Sequence, residues 1–174
     1  MIVEAWSEKI ALHIKKANEE ETVSIEVMKF ALIILINFMI PVCISLLIGL
    51  ITGKLMATSI SILAFVLLRM ASGGFHFQSP IVCMISTTIV TAAPPHIALS
   101  HIFIYIFTAI SLLLVLIKAP SNLKGYNRMP ERFYPYLKLV SAILVCINFI
   151  FVSSSVAVVF LIQGILLFKN VKEV

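Results

Sequence analysis

Apolar residues run along this chain in long blocks separated by short polar breaks. Phe30 to Ile51 is 22 residues without a charge, enough to cross a hydrocarbon core of about 30 Å as a helix, with a kink expected at Pro41. Thr52 to Lys54 makes a tight connection, and Leu55 to Leu68 returns as a shorter run containing serine and threonine, ending at Arg69. Ile81 to Ala93 crosses next and is stopped by Pro94 and Pro95, and His96 to Ile117 comes back. After the polar loop Lys118 to Pro135, Leu137 to Val152 and Val156 to Phe168 form a last hairpin around Ser153, Ser154 and Ser155. The pattern predicts six crossings. The second, third and sixth runs are short for a bilayer and need flanking residues, local thinning or partial insertion, so four full spans plus a re-entrant pair is the competing count.

Ahead of the first span, Met1 to Lys29 places Ile2, Trp6, Ile10 and Ile14 four apart, flanked by Val3, Ala11 and Ala17. This spacing predicts an amphipathic helix lying along the membrane surface. Its four lysines against six glutamates make attraction to anionic lipid modest, and Glu19, Glu20 and Glu21 read as a solvated bend.

Composition sharpens the class. The chain is 61% hydrophobic and 12% charged, with a mean hydropathy of +1.11, far from the quarter-charged composition typical of soluble domains. We therefore expect an all-α, polytopic integral membrane protein of about six transmembrane helices with an N-terminal amphipathic interfacial helix. Its 174 residues form one domain: 1–29 at the cytoplasmic face, 30–168 in the membrane, 169–174 as a cytoplasmic tail. The charged start lacks the apolar core and cleavage site of a secretory signal, so no removal is expected. Cys43, Cys83 and Cys146 are an odd set without metal-like spacing, so neither a disulfide framework nor a metal is expected, nor a cofactor or a nucleic-acid partner. With six spans, twelve of the thirteen lysines and arginines fall on one side and only Lys54 on the other. Positive loops stay inside, which puts both termini and the Arg69 end in the cytoplasm.

The chemistry concentrates in one break, Arg69 to Cys83, RMASGGFHFQSPIVC. Gly73 and Gly74 free the backbone to leave the helix. Ser79 and Pro80 form a helix start, a hydroxyl able to accept an orphan N–H followed by a ring suited to the first helical position. Cys83 then falls in the first turn, where the helix dipole and a nearby imidazolium favour thiolate. In unbroken helix His76 and Cys83 would stand two turns, roughly 10 Å, apart. The two breaks allow His76 to fold back within reach of the thiol, as a base and its nucleophile require.

Each of these residues also has a plainer reading. Cys83 can be an apolar packing residue, as we take Cys43 and Cys146 to be, and His76 an interfacial histidine like His96 and His101, while His13 sits on the surface helix. Arg69 can snorkel to headgroups, or hold the motif loop or a substrate carboxylate. Lys118, Lys124, Arg128 and Arg132 can be a topology signal only, or dock an acidic peptide. The chain has no aspartate, which excludes a Cys-His-Asp triad. A dyad is expected, and any orienting third group would be Gln78, Asn122, Asn127, Glu131, Asn148 or a backbone carbonyl. Oxyanion stabilisation can come from N–H groups at the start of the cysteine's helix.

Arg69, Gly73-Gly74, an aromatic, His76 and Cys83 seven residues on, together with the Ala119-Pro120 opening of the polar loop, resemble the accessory gene regulator B proteins. These are membrane cysteine endopeptidases that process precursors of bacterial quorum-sensing peptides. The resemblance covers essentially the whole chain. It implies that Cys83 is the nucleophile and His76 its base, and that Arg69 and Gly74 match positions needed for activity or for the motif's structure. It further implies a short propeptide substrate, an amphipathic helix followed by an acidic tail, cut through an acyl-enzyme thioester and closed into a thiolactone or lactone. A bacterial cell membrane location follows, and self-association is compatible with it.

Two rivals belong to other classes. A small transporter or channel would need polar residues along one face of several spans, and beyond Lys138 at the edge of its run Phe30 to Ile51 and Leu137 to Val152 offer only Asn37, Ser45, Ser141 and Asn148. A non-catalytic signalling scaffold would lose nothing on Cys83→Ser.

Overall fold

A computed structural model describes residues 2–19, 21–75, 77, 79–121 and 130–169. The described residues form seven α-helices: α1 (Ile2–Ala17), α2 (Ile25–Ile51), α3 (Leu55–Ser72), α4 (Pro80–Ala92), α5 (His101–Lys118), α6 (Tyr134–Phe151) and α7 (Ser154–Leu166). Short 3₁₀ turns at Pro94–His96 and Glu131–Phe133 precede α5 and α6. No β-strand occurs among the described residues, where a lone bridge joins Gly73 to Ser121.

Four segments have the length and composition to cross a membrane: Ile25–Ile51, Leu55–Ser72, His101–Lys118 and Glu131–Phe151. Helices α4 and α7 have 13 residues each, about 20 Å of helix against a core of about 30 Å. Length alone therefore supports four crossings, and the expected six are not carried by α4 and α7. Apolar side chains such as Phe30, Ile51, Met56, Ile102 and Ile150 cover the outside. A bilayer solvates such a surface and water does not, so the chain is an integral membrane protein.

Helix α7 is central. Its Val156–Phe160 stretch, Gln163 and Gly164 are buried against α3 and α5. The core joins Phe65 and Leu68 of α3, Val90 of α4, Val115 of α5, Val145 of α6 and Val159, Phe160 and Leu167 at α7. Two pairs of buried polar side chains meet across helices, Ser45 with Thr91 at 2.7 Å and Asn148 with the Thr108 hydroxyl at 3.0 Å. Each pair removes the cost of a bare polar group in an apolar interior.

The helix ends gather into two sets. At one, the Lys54 ammonium donates to the Pro95 carbonyl at 3.1 Å and the Leu99 N–H to the Ser154 hydroxyl at 3.2 Å, tying the α2–α3, α4–α5 and α6–α7 turns together. The α6–α7 turn passes through Val152 at φ 47, and the buried Asn148 carboxamide accepts from the Ser153 N–H at 3.1 Å. The other set holds Gly73, Ser121 and Leu166 and is described below.

Helix α1 is shorter than the expected helix over 1–29. It ends at Ala17 instead of running toward Lys29, and Ser24 caps α2 by accepting from the Val27 N–H. Its buried line is Val3, Ser7 and Ala11, packed on α2. Trp6, Ile10 and Ile14 are exposed, because small residues allow the close approach of two helices that a Trp-Ile line would hold apart.

Candidate active site

The motif is built where α3 ends. Arg69 stays inside α3, which continues to Ser72 instead of stopping at Leu68. Gly73 and Gly74 then take φ values of 71 and 127, a region that side chains with a Cβ disfavour. Almost every backbone group of this turn is bonded. The Gly73 N–H donates to the Arg69 carbonyl at 2.9 Å, that of Gly74 to Ser121 at 3.0 Å and that of Phe75 to Leu166 at 3.3 Å. Ser121 returns a bond to the Ser72 carbonyl at 3.0 Å and its hydroxyl donates to Leu167 at 3.2 Å. Three chain segments far apart in sequence are thereby knotted at one end of the molecule.

Side chains complete the knot. One Arg69 nitrogen donates to the Phe75 carbonyl and the other to the Gln163 carboxamide oxygen at 3.2 Å, with the guanidinium 5.6 Å from the Phe65 ring centre. Arg69 is therefore bonded to the motif loop on one side and to α7 on the other. Gln163 is fully buried, and its nitrogen donates to the Gly73 carbonyl at 2.8 Å and to the Ser72 hydroxyl at 3.1 Å.

The expected helix start is present at Ser79 and Pro80, with Pro80 in the first position of α4. The Ser79 hydroxyl makes no cap bond; the residue contributes its extended backbone and its carbonyl, which accepts from the Cys83 N–H at 3.0 Å. Cys83 thus closes the first turn of α4. It is a free, half-buried thiol, whereas Cys43 and Cys146 are free thiols on the exposed outer faces of α2 and α6 and not packing residues.

Cys83 opens on a small, open cleft that it lines with Phe65, Arg69, Phe75, Phe77, Ser86, Thr87, Val90 and Leu166. Phe75 and Phe77 meet edge to face at 5.0 Å, and the Lys169 ammonium lies 4.5 and 5.1 Å from their centres. The cleft therefore combines one thiol, the Arg69 guanidinium and an apolar wall, two of whose rings carry the Lys169 ammonium close by. No cluster of side chains able to hold a metal occurs among the described residues.

The remaining expected residues divide. Lys118 ends α5 with its ammonium 5.6 Å from the Phe168 ring centre, and Arg132 lies over the neighbouring Phe133 in an exposed turn. Neither lines the Cys83 cleft. His76, Gln78, Asn122, Lys124, Asn127 and Arg128 lie outside the described residues. Asn148 is at the opposite end, bonded to Thr108 and Ser153, so it is no third group for the site. Sequence reasoning passed over Gln163 and Lys169. An isolated carboxamide inside the apolar run Val156 to Phe168 was the available signal, since it must find a polar partner.

Fold and site define a polytopic helical membrane protein with a cysteine in the first turn of a short helix, set beside an arginine-clamped glycine turn. The family described as Accessory gene regulator B matches residues 7–170. The chain belongs to that family. A curated relative from Halalkalibacterium halodurans, named as an AgrB-like protein, is 23% identical over 158 residues, covering 91% of this chain and 80% of the relative. No solved structure matches the chain.

Proposed function

We propose that this protein is a membrane cysteine endopeptidase that removes the C-terminal tail of a short quorum-sensing propeptide and closes the remainder into a ring. Family membership supports a role in quorum-sensing peptide processing. The observation that carries the finer reading is that Cys83 shares a cleft with Arg69, Phe75 and Phe77, the last two being the residues on either side of His76.

In this reading His76 takes the Cys83 proton and the thiolate attacks the scissile carbonyl. Pro80 has no N–H and that of Cys83 is spent on Ser79, so the Ile81 and Val82 amides are the donors left at the helix start for the oxyanion. The His76 imidazolium gives its proton to the departing amine, the C–N bond breaks, and the tail leaves with the acyl group held as a thioester. A thiol or hydroxyl of the peptide then loses its proton to His76 and attacks the thioester, releasing the thiolactone or lactone and the Cys83 thiol. The apolar walls of the cleft limit water, the competing nucleophile. The propeptide's helix would lie in the membrane plane on the cytoplasmic side, with its acidic tail near Lys118, Lys124, Arg128 and Arg132.

Co-expression with candidate short precursors, read by mass analysis, tests this. Cleaved and cyclised peptide is expected with the native chain and none with Cys83→Ala, while His76→Ala lowers the rate by about 10²- to 10⁴-fold. Full processing by Cys83→Ser would leave a scaffold role. Charge reversal at Lys118, Lys124, Arg128 and Arg132 should weaken cleavage, and unchanged cleavage removes these residues from substrate docking.

A further inference from the structure

We propose that Gln163 is a positioning residue of this site: its carboxamide fixes the Gly73–Phe75 turn and so the segment that delivers His76 to Cys83. The inference rests on the dyad reading above. Its physical basis is the orientation of one buried amide. The Gly73 carbonyl can only accept and the Arg69 guanidinium can only donate, so a side chain placed between them must donate on one side and accept on the other. Gln163 does both, at 2.8 Å to the Gly73 carbonyl and 3.2 Å from Arg69. Its second N–H goes to the Ser72 hydroxyl at 3.1 Å, which itself donates to the Leu68 carbonyl at 2.7 Å.

Arg69, oriented in this way, extends its other nitrogen to the Phe75 carbonyl. Gln163 therefore grips the turn twice, directly at Gly73 and through Arg69 at Phe75, the residue that precedes His76 in the chain. The side chain is fully buried on α7, the most enclosed helix, so the grip has a rigid base. A buried network of this kind is stiff when every member is satisfied and fails together when one member is removed. Glutamate has the same shape but would set an oxygen against the Gly73 carbonyl. Leucine fills similar space and bonds to nothing.

The test follows alkylation of Cys83 against pH in vesicles, with amide hydrogen exchange across residues 70–75 as a second readout, for the native chain, His76→Ala, Gln163→Glu and Gln163→Leu. Alkylation of Cys43 and Cys146 reports whether α2 and α6 are intact. Both Gln163 variants should change the pH profile of Cys83 alkylation in the same direction as His76→Ala. Exchange in the turn should speed about tenfold or more, the factor expected for a lost buried hydrogen bond. If the native profile responds to His76→Ala but not to either Gln163 variant, the proposal is overturned and the dyad stands. If the native profile ignores His76→Ala, the dyad reading and the delivery role fall together, and exchange alone decides whether Gln163 holds the turn. Should Gln163→Leu fail to insert, Gln163→Asn, whose amide is withdrawn by one methylene, enters the same comparison.

Discussion

Gly74 shows how much depends on single atoms at this site. Its φ is +127, and an added Cβ would stand 3.1 Å from the Gln163 nitrogen and 3.4 Å from Arg69, so an alanine there meets both a strained backbone and the clamp. Gly53 is the natural control, with φ +69 and nothing within 4 Å of the place a methyl would take. Gly74→Ala should cost about 1–3 kcal/mol and slow processing, whereas Gly53→Ala should cost about 1 kcal/mol and leave processing intact. Thermal unfolding in detergent and precursor cleavage measure the two effects, and equal losses at both positions would mean that the clamp adds nothing. At this scale the glycine pair and the Ser79-Pro80 helix start were legible, because each residue type has a local conformational meaning. Arg69 was readable in two ways, since a snorkelling arginine and a clamping one look alike until the partner is known. The partner, Gln163, lies 94 residues away, and no local rule connects them.

Helix positions were largely legible from the apolar runs, and helix ends less so. Helix α2 starts at Ile25 because Ser24 caps it, five residues before the charge-free run begins. In helix α1 periodicity identified Trp6, Ile10 and Ile14 as one face, and these side chains are exposed, while the face against α2, Val3, Ser7 and Ala11, was not anticipated. The exposed line remains free to meet lipid headgroups, which is how we read it. One exposed ion pair clips α1 to α2, the Lys29 ammonium to the Glu8 carboxylate at 2.6 Å. Lys29, first by its hydrogen bond and then by its charge, holds the Glu8 carboxyl below its ordinary value. A carboxyl lowered in the folded state stabilises docking fully above its unfolded pKa, and that contribution is lost as pH falls through the folded value. Amide exchange in α1 should therefore speed as pH drops below about 4.3, the unperturbed glutamate value, after correction for the intrinsic rate. In Lys29→Ala this acid-dependent part should disappear. An identical pH response in that variant would show that the clip does not hold the helix, as is common for exposed pairs.

Across the whole molecule, the two sets of helix ends carry different charge. Arg69, Lys118 and Lys169 stand at the end that holds the glycine turn, while Lys54 sits at the other, spent on the Pro95 carbonyl. Positive charge is retained in the cytoplasm, so we propose that the Cys83 end faces inward, where a newly made precursor would be met. The short helices are what the sequence left open. Helices α4 and α7 span about 20 Å each, yet their turns are bonded at the Lys54 end through Pro95 and Ser154. A chain stripped of Cys43, Cys83 and Cys146 and given single cysteines at Gly53, Ser153 or Lys169 separates the arrangements. With a membrane-impermeant maleimide on intact cells, Gly53→Cys should label, and Lys169→Cys only after permeabilisation. Labelling in the reverse order would put the cleft outside and end the reading of an inward-facing peptidase. Ser153→Cys decides the count: labelling beside Gly53→Cys means that α7 reaches the outer surface with the lipid thinned around it. Protection while Gly53→Cys reacts means that the α6–α7 turn stays below the surface and that α7 does not cross in full, as expected when fewer than six helices cross.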